Sequence, residues 1–328
     1  MARVLITKAI PEAGVDLLRG AGVEIWMYDG PRDRGWLLKD VRQVDGMISM
    51  LSDRVDGELL SAGNRLQGVA NFAVGTDNVA RDAANRQGIL VCNTPDVLTE
   101  STAELAWALI LAVTRRVVEG DQLVRHGRFD GWHPLMMLGT ELRGKTLGIV
   151  GAGRIGRAVA RKAPAFGMRV LYWNRSPRPD LEQELRAVRA ELDALLAESD
   201  VVSVNCPLTP ETRHLITRER LARMKPSAYL VNTARGPVVD EAALQEALAA
   251  RRIAGAGLDV YEREPEVQPG LIGLPNTVLL PHLGSATREA RDGMARLAAQ
   301  GVLDILSGRV PANLVNPEAL PARRPPVL

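Results

Sequence analysis

At 328 residues, 46% hydrophobic and 24% charged, the chain is long enough for about two packed domains, and its near-balanced charge of +2 excludes a general attraction to nucleic acid or to a membrane surface. Only two cysteines occur, Cys92 and Cys206, which excludes a disulfide framework and leads us to expect a reducing, cytoplasmic setting. No apolar run is long enough to span a bilayer, the N-terminus lacks a signal-peptide pattern, and His126, His133, His214 and His282 are spaced too widely for a metal site, so none is expected.

The first part of the chain alternates strand and helix. Short apolar strands are expected at Val4 to Thr7, Val23 to Tyr28, Gly46 to Leu51, Gln67 to Val74 and Ile89 to Cys92, with helices at Pro11 to Ala21, Asp56 to Ala62 and Asn78 to Gln87. Such alternation implies a parallel sheet with helices on both faces, and a ligand crevice at its strand ends, Leu51-Ser52 and Val74-Gly75-Thr76. Next, Thr99 to His126 reads as one long helix. Its middle is apolar on nearly every side, so more than one neighbour must bury it, and a second subunit is one such neighbour. An irregular connection follows, and its Trp132 is either packed on the surface or reaching into a site.

The most informative stretch is Thr146 to Ser176, which reads strand, glycine-rich turn, helix, strand. Gly151-Ala-Gly-Arg-Ile-Gly156 follows the first strand at once. Gly151 permits the tight turn, Gly153 admits a pyrophosphate close to the backbone, and Gly156 lets the helix approach the sheet. The helix N-terminus then offers N–H groups to phosphates. Pro164 is expected to kink or shorten that helix. An acidic residue at the end of the second strand would accept the ribose hydroxyls of NAD. Asn174 stands there instead, followed by Arg175, Ser176 and Arg178, which suit a 2′-phosphate and predict NADP(H), with NAD(H) as the alternative.

Further strands are expected at Asp200 to Cys206, Ala228 to Thr233, Gly255 to Val260 and Thr277 to Leu280. Thr217 caps a helix to Met224, Asp240 caps one to Arg252, and a last amphipathic helix runs from Ser285 to Ser307. Three strand ends carry Arg235, Glu264 and His282, which a doubly wound sheet would bring to one crevice. Reduction of a 2-oxo acid needs a cation for the carboxylate, a proton donor for the carbonyl oxygen, and a partner that keeps the donor charged and oriented. Arg235, His282 and Glu264 can fill those roles in that order.

The motifs Gly151 to Gly156, Pro207-Leu-Thr-Pro-Glu-Thr212, Val231-Asn-Thr-Ala-Arg-Gly236, Gly257-Leu-Asp-Val260, Glu264-Pro265 and Pro281-His-Leu-Gly-Ser-Ala-Thr287 together resemble the D-isomer-specific 2-hydroxyacid dehydrogenases over Val4 to Asn316. Leu51-Ser-Asp, Tyr172 to Asp180 and Gly131-Trp132-His-Pro134 are most similar to the glyoxylate and hydroxypyruvate reductases. The resemblance implies an α/β protein of two doubly wound parallel-sheet domains. A flavodoxin-like substrate domain would comprise 1–98 and 285–328, and a Rossmann dinucleotide-binding domain 99–284, including a dimerisation helix at 99–126. It implies substrate contacts at Leu51, Ser52, Val74, Gly75 and Trp132, the last reaching a neighbouring subunit's site in a homodimer. Arg235, Glu264 and His282 would be catalytic. Thr102, Gly151, Gly153, Arg154, Ile155, Gly156, Asn174, Arg175, Ser176, Cys206, Pro207, Thr212, Thr233, Asp259 and Gly284 would line the cofactor site. The expected activity is NADPH-dependent reduction of glyoxylate to glycolate and hydroxypyruvate to D-glycerate. Alternatives are phosphite oxidation, against which Val74 stands where those enzymes resemble one another in a lysine, another D-2-hydroxyacid dehydrogenase, or a nucleotide-sensing corepressor-like scaffold.

Overall fold

The computed structural model describes residues 1–28 and 33–328. Its backbone divides into two compact units, Met1–Leu98 with Ala286–Leu328, and Thr99–Ser285. In the first unit, β1 (Arg3–Ile6), β2 (Glu24–Met27), β3 (Gly46–Ser49), β4 (Gly68–Asn71) and β5 (Leu90–Cys92) form a sheet in the order β2-β1-β3-β4-β5. Every pairing in it is parallel. This is the flavodoxin-like doubly wound order. β3 and β4 are buried throughout, as strands covered on both faces must be.

The helix Arg288–Leu306 returns to this first sheet. It packs so closely that an added methyl on Gly46 would lie 2.7 Å from Val302, and one on Gly68 would lie 2.5 Å from Ile305. Beyond it the chain is tied down by Asn316, which is fully buried. The Asn316 side chain accepts from Val91 N at 2.6 Å and donates to Asn85 Oδ1 and to Ile89 O at 2.9 and 3.0 Å. Asn316→Ala leaves the Val91 N–H and the Ile89 carbonyl buried without that partner. We expect a loss of about 3 kcal/mol, read as a lowered midpoint of thermal unfolding.

The second unit carries β6 (Thr146–Val150), β7 (Arg169–Trp173), β8 (Val188–Arg189), β9 (Val201–Val204), β10 (Tyr229–Asn232), β11 (Gly255–Leu258) and β12 (Thr277–Leu279). Their order is β12-β11-β10-β9-β6-β7-β8, all parallel. Counted from β6, this is the Rossmann order with one further strand beside the last. The carboxyl ends of β6, β7, β9, β10, β11 and β12 therefore share one edge.

The expected caps form at Thr217, which accepts from Arg220 N, and at Asp240, which accepts from Ala243 N. The last long helix is capped instead by Thr287, which accepts from Ala290 N, so it begins at Arg288 rather than Ser285. The helix capped by Asp240 ends at Ala249, short of Arg252, with Arg251 at φ 52°. At Ala163 the fingerprint helix tightens into a 3₁₀ turn that includes Pro164, as that proline requires.

One expectation is corrected. Thr99 to His126 is two helices, Thr99–Thr114 and Val117–Arg125, rather than one. The break follows from competition for a carbonyl. Thr140 N donates to Thr114 O at 2.8 Å, which removes that acceptor from the helical ladder, and Arg116 turns to φ 55°. Gly139 allows this approach, since a methyl there would lie 2.5 Å from Thr114 O. Helices Arg34–Asp40, Pro179–Leu185 and Leu192–Glu198 were not expected; each is only seven residues long, too short to show a clear helical period.

Candidate active site

The glycine turn is built as its spacing requires. Gly151 sits at φ 95°, and a side chain there would strike the backbone of Cys206 2.6 Å away. A methyl on Gly156 would lie 2.1 Å from Gly151 O, so this helix can meet the turn only through glycine. Gly153 has nothing within 4 Å of where its side chain would be. It precedes the helix Arg154–Lys162, whose first N–H groups receive no side-chain cap from it. The turn is thus open where phosphates would approach.

Asn174, at the end of β7, accepts from Ala152 N at 3.2 Å and donates to Ser176 O at 2.9 Å. Arg189 holds the carbonyls of Asn174 and Arg175 at 3.2 and 3.3 Å, and the buried Tyr172 hydroxyl accepts from Arg178 N at 2.8 Å. This loop therefore has a defined shape while Arg175 and Ser176 remain exposed. Arg175 lies near the turn from Pro207 to Thr212. Glu211 there is held below the usual carboxylate range, first by the Thr209 side chain, then by its own N–H, with the Arg175 charge adding to both. Thr212 Oγ1 donates to Pro207 O at 2.7 Å and fixes that turn. Thr233 Oγ1 is buried with no hydrogen-bond partner, as is Asn205 Oδ1. An open glycine cradle, a shaped loop rich in arginine and an orphaned hydroxyl at one sheet edge fit a dinucleotide.

On the same edge, His282 Nδ1 meets Glu264 Oε2 at 2.8 Å. Tyr261 N donates to the other Glu264 oxygen at 3.1 Å. Burial pushes the Glu264 carboxyl up, but the His282 hydrogen bond and charge, the Tyr261 N–H and the Arg235 charge outweigh it and hold the group below its ordinary value. Arg235 donates to Ala234 O at 2.8 Å, and its turn is shaped by Asn232, which donates to Arg235 O and accepts from Ala234 N, both at 3.0 Å.

The segment carrying His282 is pinned from below. His282 has φ 57° and donates its N–H to Asp259 O at 3.0 Å. The N–H groups of Leu283 and Gly284 donate to the two oxygens of Asp259 at 2.6 and 2.8 Å, and Thr102 Oγ1 donates to Gly284 O at 3.0 Å. Burial pushes the Asp259 carboxyl up, and these N–H bonds and the His282 charge do not fully offset it. The buried Tyr261 hydroxyl, pushed up to about 12 by burial, donates to Leu280 O at 2.9 Å. With Nδ1 engaged by Glu264, Nε2 is the ring nitrogen left for proton transfer.

Structure thus brings Arg235, Glu264, His282, Asp259, Thr102 and Gly284 together with the glycine turn and Cys206 in one unit. In the other unit, Leu51 and Ser52 follow β3 while Val74 and Gly75 follow the adjacent β4. A cavity of about 340 Å³ is lined there by Leu51, Ser52, Asp53, Asp77 and Asn78, among others. Trp132 is 78% exposed and does not enter the His282 cluster of its own chain. Sequence reasoning missed the supporting residues Tyr261, Asn71, Asn78 and Asp53. The run Asn71 to Asn78 carries three Asn/Asp residues beside a strand end, a signal of side-chain-built turns. Among the described residues no group of three or more His, Cys, Asp or Glu side chains could hold a metal ion.

Comparison with known proteins agrees with this geometry. Residues 107–284 match the family model described as D-isomer specific 2-hydroxyacid dehydrogenase, NAD binding domain. A glyoxylate reductase from Thermococcus onnurineus is 51% identical, the alignment covering 98% of each chain. A solved Thermus thermophilus protein superposes with a TM-score of 0.90 at 48% identity, covering 95% of this chain and 99% of that one. An NADPH-dependent glyoxylate/hydroxypyruvate reductase from Sinorhizobium meliloti, solved with NADP and malonate, gives a TM-score of 0.88 at 35% identity, with 99% of each chain covered. No described helix is long and apolar enough to cross a membrane.

Proposed function

Given that the chain belongs to the D-isomer-specific 2-hydroxyacid dehydrogenases, oxidoreductases with a nicotinamide dinucleotide cofactor, we propose that it reduces glyoxylate to glycolate and hydroxypyruvate to D-glycerate with NADPH. The observation that carries this reading is the 2.8 Å His282–Glu264 pair on the sheet edge that also presents Arg235 and the glycine turn. When bound, the reduced nicotinamide supplies the hydride for the 2-oxo carbon. Arg235 holds the substrate carboxylate, and the charged His282 gives its proton from Nε2 to the carbonyl oxygen. Glu264 remains ionised, keeps the imidazole turned and stabilises its charged form. Leu51, Ser52, Val74 and Gly75 contact the substrate in this reading.

The cofactor preference rests on Asn174, a neutral side chain already engaged by Ala152 N, and on the exposed Arg175 and Ser176 beside it. A carboxylate at Asn174 would repel a 2′-phosphate. The decisive assay follows oxidation of NADPH and NADH at equal concentrations with glyoxylate, hydroxypyruvate and pyruvate in turn. Fast turnover with NADPH and the first two acids is expected. NADH preference would overturn the cofactor assignment alone, and turnover with no pairing would overturn the activity.

Val117, Val124, Phe129, Trp132, Leu135 and Leu138 are all exposed along one stretch of chain, and this supports a homodimer as the working unit. Light scattering should give twice the chain mass. Val124→Asp with Leu135→Asp should give single chains; an unchanged mass would place the contact elsewhere. Cys92 and Cys206, both unpaired and buried, accord with a reducing cytoplasm.

A further inference from the structure

The two turns assigned above to the substrate are joined beneath the surface by a pair of amides. Asn71 closes β4, is fully buried, and donates to Asn78 Oδ1 at 3.0 Å, while Asn78 donates back to Asn71 Oδ1 at 3.1 Å. Each amide also reaches a different turn. Asn71 donates to Gly75 O at 2.8 Å, and Asn78 shares its two N–H groups between Asn71 Oδ1 and the carbonyls of Met50 and Asp53, both at 3.0 Å. Ser49, across from Asn71 in the parallel register, donates to Asn71 Oδ1 at 3.0 Å. From the far side Asp53 accepts from Met50 N at 2.7 Å and from the Thr7 hydroxyl, so the turn holding Leu51 and Ser52 is gripped through both its N–H and its carbonyls.

We propose that Asn78, through its reciprocal amide pair with Asn71, is a positioning residue that yokes the 50–53 turn to the 74–76 turn and so sets the spacing of the two turns that contact the substrate. The proposal rests on the substrate assignment made above. A carboxyl group cannot do what this amide does. Asn78→Asp keeps the shape but replaces the NH2, and with it both N–H donors, by a carboxylate oxygen that faces the Met50 and Asp53 carbonyls, so the turns are pushed apart rather than held. Neither amide belongs to the unit with the glycine turn, so the expected damage falls on the substrate alone.

Steady-state kinetics with glyoxylate and a direct NADPH titration test this. Asn78→Asp should raise KM about ten- to a hundredfold, with kcat changed by no more than about threefold and NADPH affinity unaltered. Asn78→Ser, neutral and still a donor, should raise KM less, and it is the variant to read if Asn78→Asp fails to fold. An unchanged KM in both, or a kcat loss at constant KM, overturns the yoke. Leu51→Trp separates the two levels of argument. If it too leaves KM and kcat untouched, the substrate assignment fails and takes the yoke with it. A large Leu51→Trp effect beside a silent Asn78 overturns the yoke alone.

Discussion

His282→Ala is expected to slow glyoxylate reduction by about 10²–10⁴-fold while NADPH still binds, because it removes the proton donor and touches none of the dinucleotide contacts. Its segment is held through backbone atoms by Asp259, so the loop that carries it should survive truncation of the imidazole. Stopped-flow mixing with NADPH separates the outcomes: a normal binding signal followed by almost no turnover is expected, whereas a variant that keeps more than a tenth of the rate would remove His282 from proton transfer. Glu264→Gln gives the complementary result. The Glu264 carboxyl lies below its ordinary value, so the stability it contributes is present above the normal carboxylate range and lost only as pH falls through its lowered value. Throughout neutral pH it is therefore a counter-charge for the imidazolium. Without that charge the imidazole loses the partner that orients it, and kcat for glyoxylate reduction should fall at least about tenfold while NADPH affinity is unaltered. An unchanged kcat would mean that Glu264 only braces the turn.

The second large effect concerns the cofactor. Asn174→Asp combined with Arg175→Ala should shift the NADPH to NADH preference by about 10²–10⁴-fold toward NADH, since it loses one charge-assisted contact and adds a repulsive carboxylate. Asn174 also accepts the Ala152 N–H, and an aspartate can keep that bond, so the glycine turn should hold its shape. Comparing kcat/KM for the two cofactors reads the switch directly. Equal losses with both would instead mean that the pair supports the turn without touching the 2′-phosphate.

What the amino-acid sequence discloses here is uneven for a physical reason. β6, β9 and β10 are buried on both faces, so each reads as a short, mainly apolar run, and its end marks where chemistry sits. Arg235, Glu264 and His282 could be singled out because the ends of β10, β11 and β12 lead into turns that carry them. The helix break after Thr114 could not, since its cause is Thr140, a partner beyond the reach of local pattern. Asn71 and Asn78 stayed hidden for a related reason: an asparagine in a turn is ordinary, and only the fold reveals that these two face each other and bond both ways. The short helices Arg34–Asp40 and Leu192–Glu198 fell below the length at which a period emerges.

The helix Arg288–Leu306 also bears on how the molecule is made. During synthesis β1 to β5 leave the ribosome first, yet the face of their sheet that Val302 and Ile305 cover has no lid until nearly the whole chain is out. The intervening unit, contiguous from Thr99 to Ser285, has all its strands in hand before that moment. It should therefore mature first, with the N-terminal sheet waiting as a sticky, half-built intermediate that chaperones would protect. A released chain ending at Thr287 would be protease-resistant in its later portion and cleaved within its first hundred or so residues, an inversion of the usual order in which domains settle as they emerge.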